Sequence, residues 1–154
     1  MIKFIPLTGL LFVGSMQAVA MEGCYLKSDE ITSLVSNESE GKLTYIEVSK
    51  VADDFFVDGV IQGGNFHVCH IGSPLEGDEG PLKMAYVDNT LVYSEDDPEY
   101  DINCKLVFSF EGGKLTISDT NAHCARYIFS CGAHAGLDGV VLPKVERKCP
   151  GSDT

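Results

Sequence analysis

Short apolar segments separated by polar turn residues recur along the chain from residue 43 to residue 118. Residues 43–48 and 55–61 combine apolar side chains with β-branched ones, and residues 65–71 have the same character. Such segments predict β-strands that are buried on at least one face. Because strands follow one another about every 8–12 residues, the pattern favours an antiparallel β-sandwich or a small β-barrel. We therefore expect a mainly β fold.

Two segments have the pattern of β-hairpins. In MAYVDNTLVYS, two apolar runs flank Asp88 and Asn89, which tolerate the positive φ of a tight turn. In CKLVFSFEGGKLTIS, apolar side chains alternate with polar or smaller ones before Gly112 and Gly113, and an apolar face resumes after them. Each segment predicts two adjacent antiparallel strands joined by a tight turn.

One segment has the features of a short helix. It spans residues 28–36, where Asp29 and Glu30 carry the negative charge that is favourable in the first turn of a helix. We expect at most this one helix, at the periphery of the fold. Loops are predicted over residues 73–81 and 95–103.

The first twenty residues have the pattern of a secretory signal peptide. Lys3 supplies a positive charge, residues 4–14 are apolar and uncharged, and the segment ends at Ala20 in the small-x-small pattern that signal peptidase cleaves. We expect cleavage after Ala20, which leaves residues 21–154 as a single β-rich domain in the periplasm or secreted. The apolar run has about half of the roughly 20 residues that a membrane-spanning helix needs, so we do not expect a membrane-embedded protein.

A second mode of export is an alternative. In a lipoprotein, Cys24 would become the acylated first residue of the exported chain. Glu22, two positions before it, fits that pattern poorly.

The number and position of the cysteines predict three disulfides. All six lie beyond the predicted cleavage site, and an even number of cysteines in an oxidising compartment is expected to pair. Spacing alone does not choose among the pairings. The preferred set closes a short loop, joins two predicted strands and ties the two ends of the domain together. Its pairs are Cys124 with Cys131, Cys69 with Cys104, and Cys24 with Cys149.

The charge balance restricts the class of partner. The chain has 11 basic and 23 acidic residues and a net charge of −12, which becomes about −13 when Lys3 is removed with the signal peptide. Such a surface repels nucleic acid and anionic lipid, and it favours cationic proteins, which include many cell-wall hydrolases. Lys144, Arg147 and Lys148 form a basic cluster that is too small to favour nucleic acid or a membrane. Solubility of an exported protein explains the charge equally well.

The segment EDDPEYD has five acidic residues in seven positions. It lacks the ordered spacing of a calcium-binding loop, so it is interpreted as a solvated loop or as a contact for a basic partner. The loop that begins with Pro74 is a second candidate contact. The candidate partner-binding residues are Glu95, Asp96, Asp97, Glu99, Asp101, Pro74, Glu76, Asp78 and Glu79.

All four histidines lie within three positions of a cysteine, which raises the question of a metal site. A zinc site built on cysteine needs thiolates, whereas export favours disulfides, and no paired C-x-x-C motif is present. On a strand, His67 and Cys69 would share one face while His70 pointed to the other. We therefore expect His67 and His70 to be structural or surface residues, with no metal and no cofactor. A metal-binding protein is a less favoured alternative.

The chain has no pattern typical of nucleophilic catalysis. No cysteine is left over after pairing, and neither G-x-S-x-G nor S-x-x-K occurs. A pair of carboxylates for glycoside hydrolysis could be drawn from almost any of the 23 acidic residues, so their presence has no diagnostic value. We expect a binding protein, with a small enzyme as an alternative.

Parts of the chain resemble known periplasmic proteins. CKLVFSF, ISDTNAHCARYIFSCGAHAGLDGV and the closing basic stretch with Cys149 resemble periplasmic lysozyme inhibitors and their uncharacterised relatives. GNFHVCHIGSPLEG is similar to an N-x-H-x-C segment of such proteins, matched at Asn65, His67 and Cys69. The resemblance implies a disulfide-bonded β domain in the periplasm without catalytic residues. It implies an inhibitor or immunity-type protein that neutralises a peptidoglycan-degrading enzyme or toxin; a structural envelope protein is the alternative.

Overall fold

A computed structural model describes residues 21–32, 39–74 and 80–151. Within these residues the chain forms nine β-strands, two 3₁₀ turns (Gly64–Phe66 and Thr120–Ala122) and one π-helical turn (Cys124–Ile128). The predicted signal peptide lies outside the described residues. The strands are β1 (Gly23–Thr32), β2 (Ser39–Val51), β3 (Asp54–Gln62), β4 (Val68–Ile71), β5 (Leu82–Val87), β6 (Thr90–Asp97), β7 (Ile102–Glu111), β8 (Lys114–Asp119) and β9 (Val141–Val145).

Eight of the strands close into an antiparallel barrel. The order around the barrel is β1, β9, β8, β7, β6, β5, β3 and β2, and β2 pairs with β1 to complete the ring. β4 pairs with the second half of β3, while β5 pairs with its first half. The prediction of a mainly β, antiparallel fold of the small-barrel type is confirmed.

Alternating side chains on the strands fill the barrel. Leu106 and Phe108 on β7 are fully buried, as are Leu115 and Ile117 on β8, and the residues between them face outward. Each such side chain contributes roughly 1.5–3 kcal/mol through removal of its apolar surface from water. The alternation noted in the sequence thus separates the inside of the barrel from its outside.

The two predicted hairpins are confirmed. Asp88 and Asn89 adopt φ values of 47° and 62° between β5 and β6, and Gly112 and Gly113 adopt 56° and 73° between β7 and β8. Positive φ at both central residues is the geometry that suits the right-handed twist of the flanking strands.

The predicted helix over residues 28–36 is wrong. Residues 28–32 belong to β1, where Asp29 lies opposite Lys42 of β2, and residues 33–38 lie outside the described part of the chain. Opposite charges across an antiparallel pair stabilise the strand. Pairing with β2 therefore outweighs the local preference of Asp29 and Glu30 for the first turn of a helix.

The count of disulfides is confirmed, but two of the three preferred pairs are wrong. The structure has three disulfides, and among the described residues no cysteine is free. The pair that joins the two ends of the domain is as predicted. The other two differ because the turn at Cys124 packs on β7, and the chain then reverses at Ser130, which has a φ of 48°, to reach β4. The pairs are Cys24 with Cys149, Cys69 with Cys131, and Cys104 with Cys124.

The disulfides also bear on the compartment. Three disulfides are typical of an oxidising extracellular or periplasmic environment. The sulfur of Cys24 is bonded to Cys149, so in this structure it is not available for the lipid thioether of the lipoprotein alternative. Within the described ranges, none of the helical segments has the length and apolar character required to cross a bilayer.

The two ends of the barrel differ. Two-residue turns join β2 to β3, β5 to β6 and β7 to β8 at one end, which we call the turn end. The opposite end, the loop end, has the β1–β2 hairpin, the β3–β4 loop, the β6–β7 turn and the long connection over residues 120–140. Disulfides tie this connection to β7 and to β4, and Leu137 within it is buried. Binding sites concentrate in long connections on a rigid scaffold. A binding site is therefore expected at the loop end.

Candidate functional site

The acidic segment is the end of a hairpin rather than a loop. The loop predicted over residues 95–103 is therefore partly wrong, because β6 continues to Asp97 and β7 begins at Ile102. The two strands stay paired up to these residues, with Asp97 opposite Ile102. Asp101, with a φ of 54°, lies in the turn between them. We call residues 95–103 the acidic hairpin.

Several bonds hold the acidic hairpin in place. Its turn is closed by the backbone N–H of Glu99, which donates to Oδ1 of Asp97 at 3.1 Å, and by the N–H of Tyr100, which donates to the carbonyl of Asp97 at 3.2 Å. At its base, the N–H of Asn103 donates to Nδ1 of His123 at 3.1 Å. The adjoining disulfide between β7 and the turn at residue 124 completes the attachment. The hairpin is thus a preorganised projection.

The acidic hairpin extends beyond its neighbouring strands. β5 pairs with β6 only over residues 90–92, so residues 93–97 of β6 pair with β7 alone. On the other side, β8 pairs with β7 only from Leu106 onward. Charged side chains on an unpaired strand edge prevent pairing with further copies of the same chain. The edge remains accessible to a partner of opposite charge.

Among the described residues, no carboxylate of the acidic hairpin forms an ion pair. The ion pairs seen in the described part of the chain join Lys27 to Asp29 and Lys83 to Asp54, and neither includes a residue of the hairpin. Tyr100, at the tip, is 69% exposed. An exposed aromatic ring among carboxylates is a surface suited to a basic protein partner.

A cavity of about 510 Å³ opens beside the acidic hairpin, where β5 begins. Pro74 and Glu95, from the two segments that the sequence indicated as contacts, both line it. Their distance in sequence gave no reason to expect a shared cavity. We call it the wall cavity; its lining residues are Phe56, Ser73, Pro74, Pro81, Leu82, Lys83, Tyr93 and Glu95.

Tyr93 positions a carboxylate at the wall cavity. Its hydroxyl donates to Oε2 of Glu95, and its ring lies 6.0 Å from that of Phe129. Burial, and then the bond and the charge of Glu95, raise the pKa of Tyr93 above its ordinary value. The hydroxyl therefore stays protonated, and keeps donating, to a higher pH than an ordinary tyrosine would. Sequence reasoning missed Tyr93, although its spacing from buried Leu91 follows the inward alternation of β6.

The other predicted contacts are distributed unevenly. Asp96 and Asp97 lie on β6, and Glu99 and Asp101 lie in the turn that follows. Pro74 is described, but Glu76, Asp78 and Glu79 lie outside the described residues.

The histidines near the cysteines make structural contacts. The strand predicted over residues 65–71 starts later, at Val68, because Asn65 and Phe66 have positive φ. Nδ1 of His67 accepts the backbone N–H of His134 at 3.0 Å, and the two rings stack 5.0 Å apart. His70 is exposed. In the described part of the chain no cluster of three or more His, Cys, Asp or Glu is arranged to hold a metal ion.

Comparisons of the chain with protein-family models, with curated proteins and with solved structures found no match. No enzyme family and no related enzyme is therefore found for it.

Proposed function

We propose that this protein is a non-catalytic periplasmic binding protein, an inhibitor or immunity-type protein that neutralises a peptidoglycan-degrading enzyme. The observation that carries the proposal is that Pro74 and Glu95 line one cavity at the base of the projecting acidic hairpin. One described residue from each of the two segments expected to contact a partner thus lines the same cavity. A projecting hairpin beside a cavity has a shape that fits the cleft of an enzyme.

The physical properties of this surface favour a basic protein. A hairpin held by hydrogen bonds and a disulfide loses little conformational entropy on binding. Its carboxylates form no ion pair among the described residues, and on a chain of net charge −12 they steer a cationic partner toward the hairpin and speed encounter at low salt.

The class of partner is supported by the sequence. The segments around Asn65 and Cys124 resemble periplasmic lysozyme inhibitors, and many cell-wall hydrolases are cationic. The absence of a recognisable nucleophile motif, together with the pairing of all described cysteines, supports a role in binding rather than catalysis.

The test is a binding and inhibition assay against a panel of lysozymes and amidases, at low and at physiological salt. The triple variant Asp96→Asn/Asp97→Asn/Glu99→Gln should weaken binding about tenfold at low salt, because each exposed charge contributes up to about 0.5 kcal/mol. The control changes the net charge equally at the turn end of the barrel. It is Asp53→Asn/Asp88→Asn/Glu111→Gln, and it should leave binding within about twofold.

Two outcomes count against the proposal. If no wall hydrolase is bound or inhibited, the protein is not an inhibitor of this class and a structural role in the envelope replaces it. If both triple variants weaken binding equally, net charge alone accounts for the interaction and the acidic hairpin is not the contact.

A further inference from the structure

The loop between β3 and β4 has an unusual backbone. Asn65 and Phe66 are consecutive non-glycine residues with φ values of 53° and 60°. The left-handed region is unfavourable for residues with a side chain, and Phe lacks the local hydrogen bonding that lets Asn tolerate it. Such a conformation persists only where surrounding contacts enforce it, and it often marks a functional site. We call residues 63–67 the Phe66 loop.

Backbone hydrogen bonds enforce this conformation from two directions. Within the loop, the N–H of Gly63 donates to the carbonyl of His67 at 2.8 Å, and the N–H of His67 donates to the carbonyl of Gly64 at 3.2 Å. From the facing connection, the carbonyl of His134 accepts the N–H of Gly64 at 3.0 Å. Together with the bond from His134 to His67 and the nearby disulfide to β4, these contacts leave the loop little freedom.

Two glycines permit the close contact between the loop and residues 131–135. A Cβ on Gly63 would lie 2.0 Å from the carbonyl oxygen of His134, and one on Gly132 would lie 2.8 Å from Cβ of His67. These are distances at which the backbones would have to separate. The contact that holds the Phe66 loop therefore depends on glycine at both positions.

The constrained loop presents an aromatic ring to a small cavity. Phe66 is 51% exposed, so burial in the core does not explain its position. It lines a cavity of about 140 Å³ with Glu40, Gly41, Gln62, His67 and Val68. Glu40 is exposed and forms no ion pair within the described residues. The nearby Lys42 does not line the cavity; its ammonium donates to the carbonyl of Gly63 at 3.4 Å.

We propose that the Phe66 loop and Glu40 form a preorganised site for one lysine or arginine side chain of a protein partner. The face of an aromatic ring attracts a cation, and a carboxylate forms charge-assisted hydrogen bonds with it. The cavity is smaller than the roughly 300–1,000 Å³ of a site for a drug-sized ligand, and it suits a single side chain. The identity of the partner as a basic wall hydrolase rests on the function proposed above.

The probe is N-acetyl-arginine amide, titrated into the protein while backbone amide shifts are followed by NMR. We expect saturable shifts at Gly41, Gln62 and Val68, with a dissociation constant on the order of 1 mM for so small a ligand. The uncharged isostere N-acetyl-citrulline amide should cause none. Equal shifts with citrulline, or arginine shifts confined to the acidic hairpin, would overturn the proposal.

Substitutions test the ring of Phe66 and the carboxylate of Glu40 separately. Phe66→Leu, which keeps an apolar side chain but removes the ring, and Glu40→Gln, which removes the charge, should each weaken the response to arginine several-fold. Tyr86→Leu and Glu111→Gln make matched changes at the turn end and should have no effect. Because Leu is unfavourable at positive φ, Phe66→Asn provides a second ringless variant that the backbone tolerates. Unchanged arginine shifts in both ringless variants would refute a role for Phe66.

The titration uses no hydrolase, so the two proposals fail separately. If the arginine probe binds as expected but no wall hydrolase does, the site stands and the proposed function fails. If a hydrolase binds but its affinity is unchanged in Phe66→Asn and the arginine probe gives no shifts, the site fails and the proposed function stands.

Discussion

His134 donates its backbone N–H to Nδ1 of His67 at 3.0 Å, although the two residues are 67 positions apart in the sequence. The bond fixes which nitrogen of His67 accepts, and it joins the Phe66 loop to the connection that crosses the loop end. The position of the Phe66 loop therefore depends on this imidazole.

We expect His67→Ala to lower the free energy of unfolding by about 1–3 kcal/mol, because it removes this acceptor and the stacked ring. Exposed His70 is the control, and His70→Ala should change stability by less than about 0.5 kcal/mol. Chemical denaturation measures both. Equal effects of the two substitutions would mean that the contact with His134 does not stabilise the fold.

The disulfide pairing can be checked chemically. Thiol labelling of denatured, unreduced protein should modify no cysteine, and peptide mapping should find Cys69 linked to Cys131 and Cys104 linked to Cys124. Replacing either pair with alanine should cost on the order of 2–5 kcal/mol. Two or more labelled cysteines, or a peptide linking Cys124 to Cys131, would contradict the pairing.

Asp119 is a buried carboxylate that the sequence did not single out. It is 2% exposed, and its oxygens accept the backbone N–H groups of Cys124 at 3.0 Å and Ala125 at 2.8 Å. Asp119→Ala leaves two buried donors without their acceptor and should cost about 2–5 kcal/mol, as measured by thermal or chemical unfolding. Ser118→Ala, at the exposed neighbouring position, should be nearly neutral. A loss below about 1 kcal/mol for Asp119→Ala would show that these bonds contribute little.

The positive φ of Phe66 leads to a prediction about stability that does not depend on binding. Glycine adopts positive φ without penalty, whereas alanine adopts it only at a cost in free energy. Phe66→Gly should therefore be more stable than Phe66→Ala by about 1 kcal/mol. Both variants lack the ring, and each should weaken the response to arginine several-fold. Denaturant midpoints compare them directly. A more stable alanine variant would contradict the left-handed conformation at this position.

The ionisation of Tyr25 should make the free energy of unfolding depend on pH in the alkaline range. Burial raises the pKa of Tyr25 to about 12, and its hydroxyl donates to the carbonyl of Met21 at 2.8 Å. A tyrosine in the unfolded chain has a pKa of about 10, so the contribution of Tyr25 is complete below that pH and is lost as the pH rises toward 12. Unfolding free energies measured across this window should fall less steeply in Tyr25→Phe. An identical slope in both proteins would show that Tyr25 ionises normally in the folded state.

Local patterns in the sequence determined the strands and turns of the hairpins. The Asp88-Asn89 and Gly112-Gly113 turns were predictable because backbone preference and alternating polarity act between neighbouring residues. The cysteine count determined that three disulfides form, since pairing depends on number and compartment.

Long-range contacts decided the rest. Residues 28–32 became a strand because β2 was available to pair with them, and the pairing of Cys69 with Cys131 depended on where the long connection crosses the barrel. The positive φ of Phe66 is maintained by His134, a residue far along the chain, so no local pattern could indicate it. The sequence by itself thus determined the elements and their turns. Only the tertiary structure decided which elements meet, because strand pairing, disulfide choice and the enforced Phe66 loop depend on contacts between distant residues.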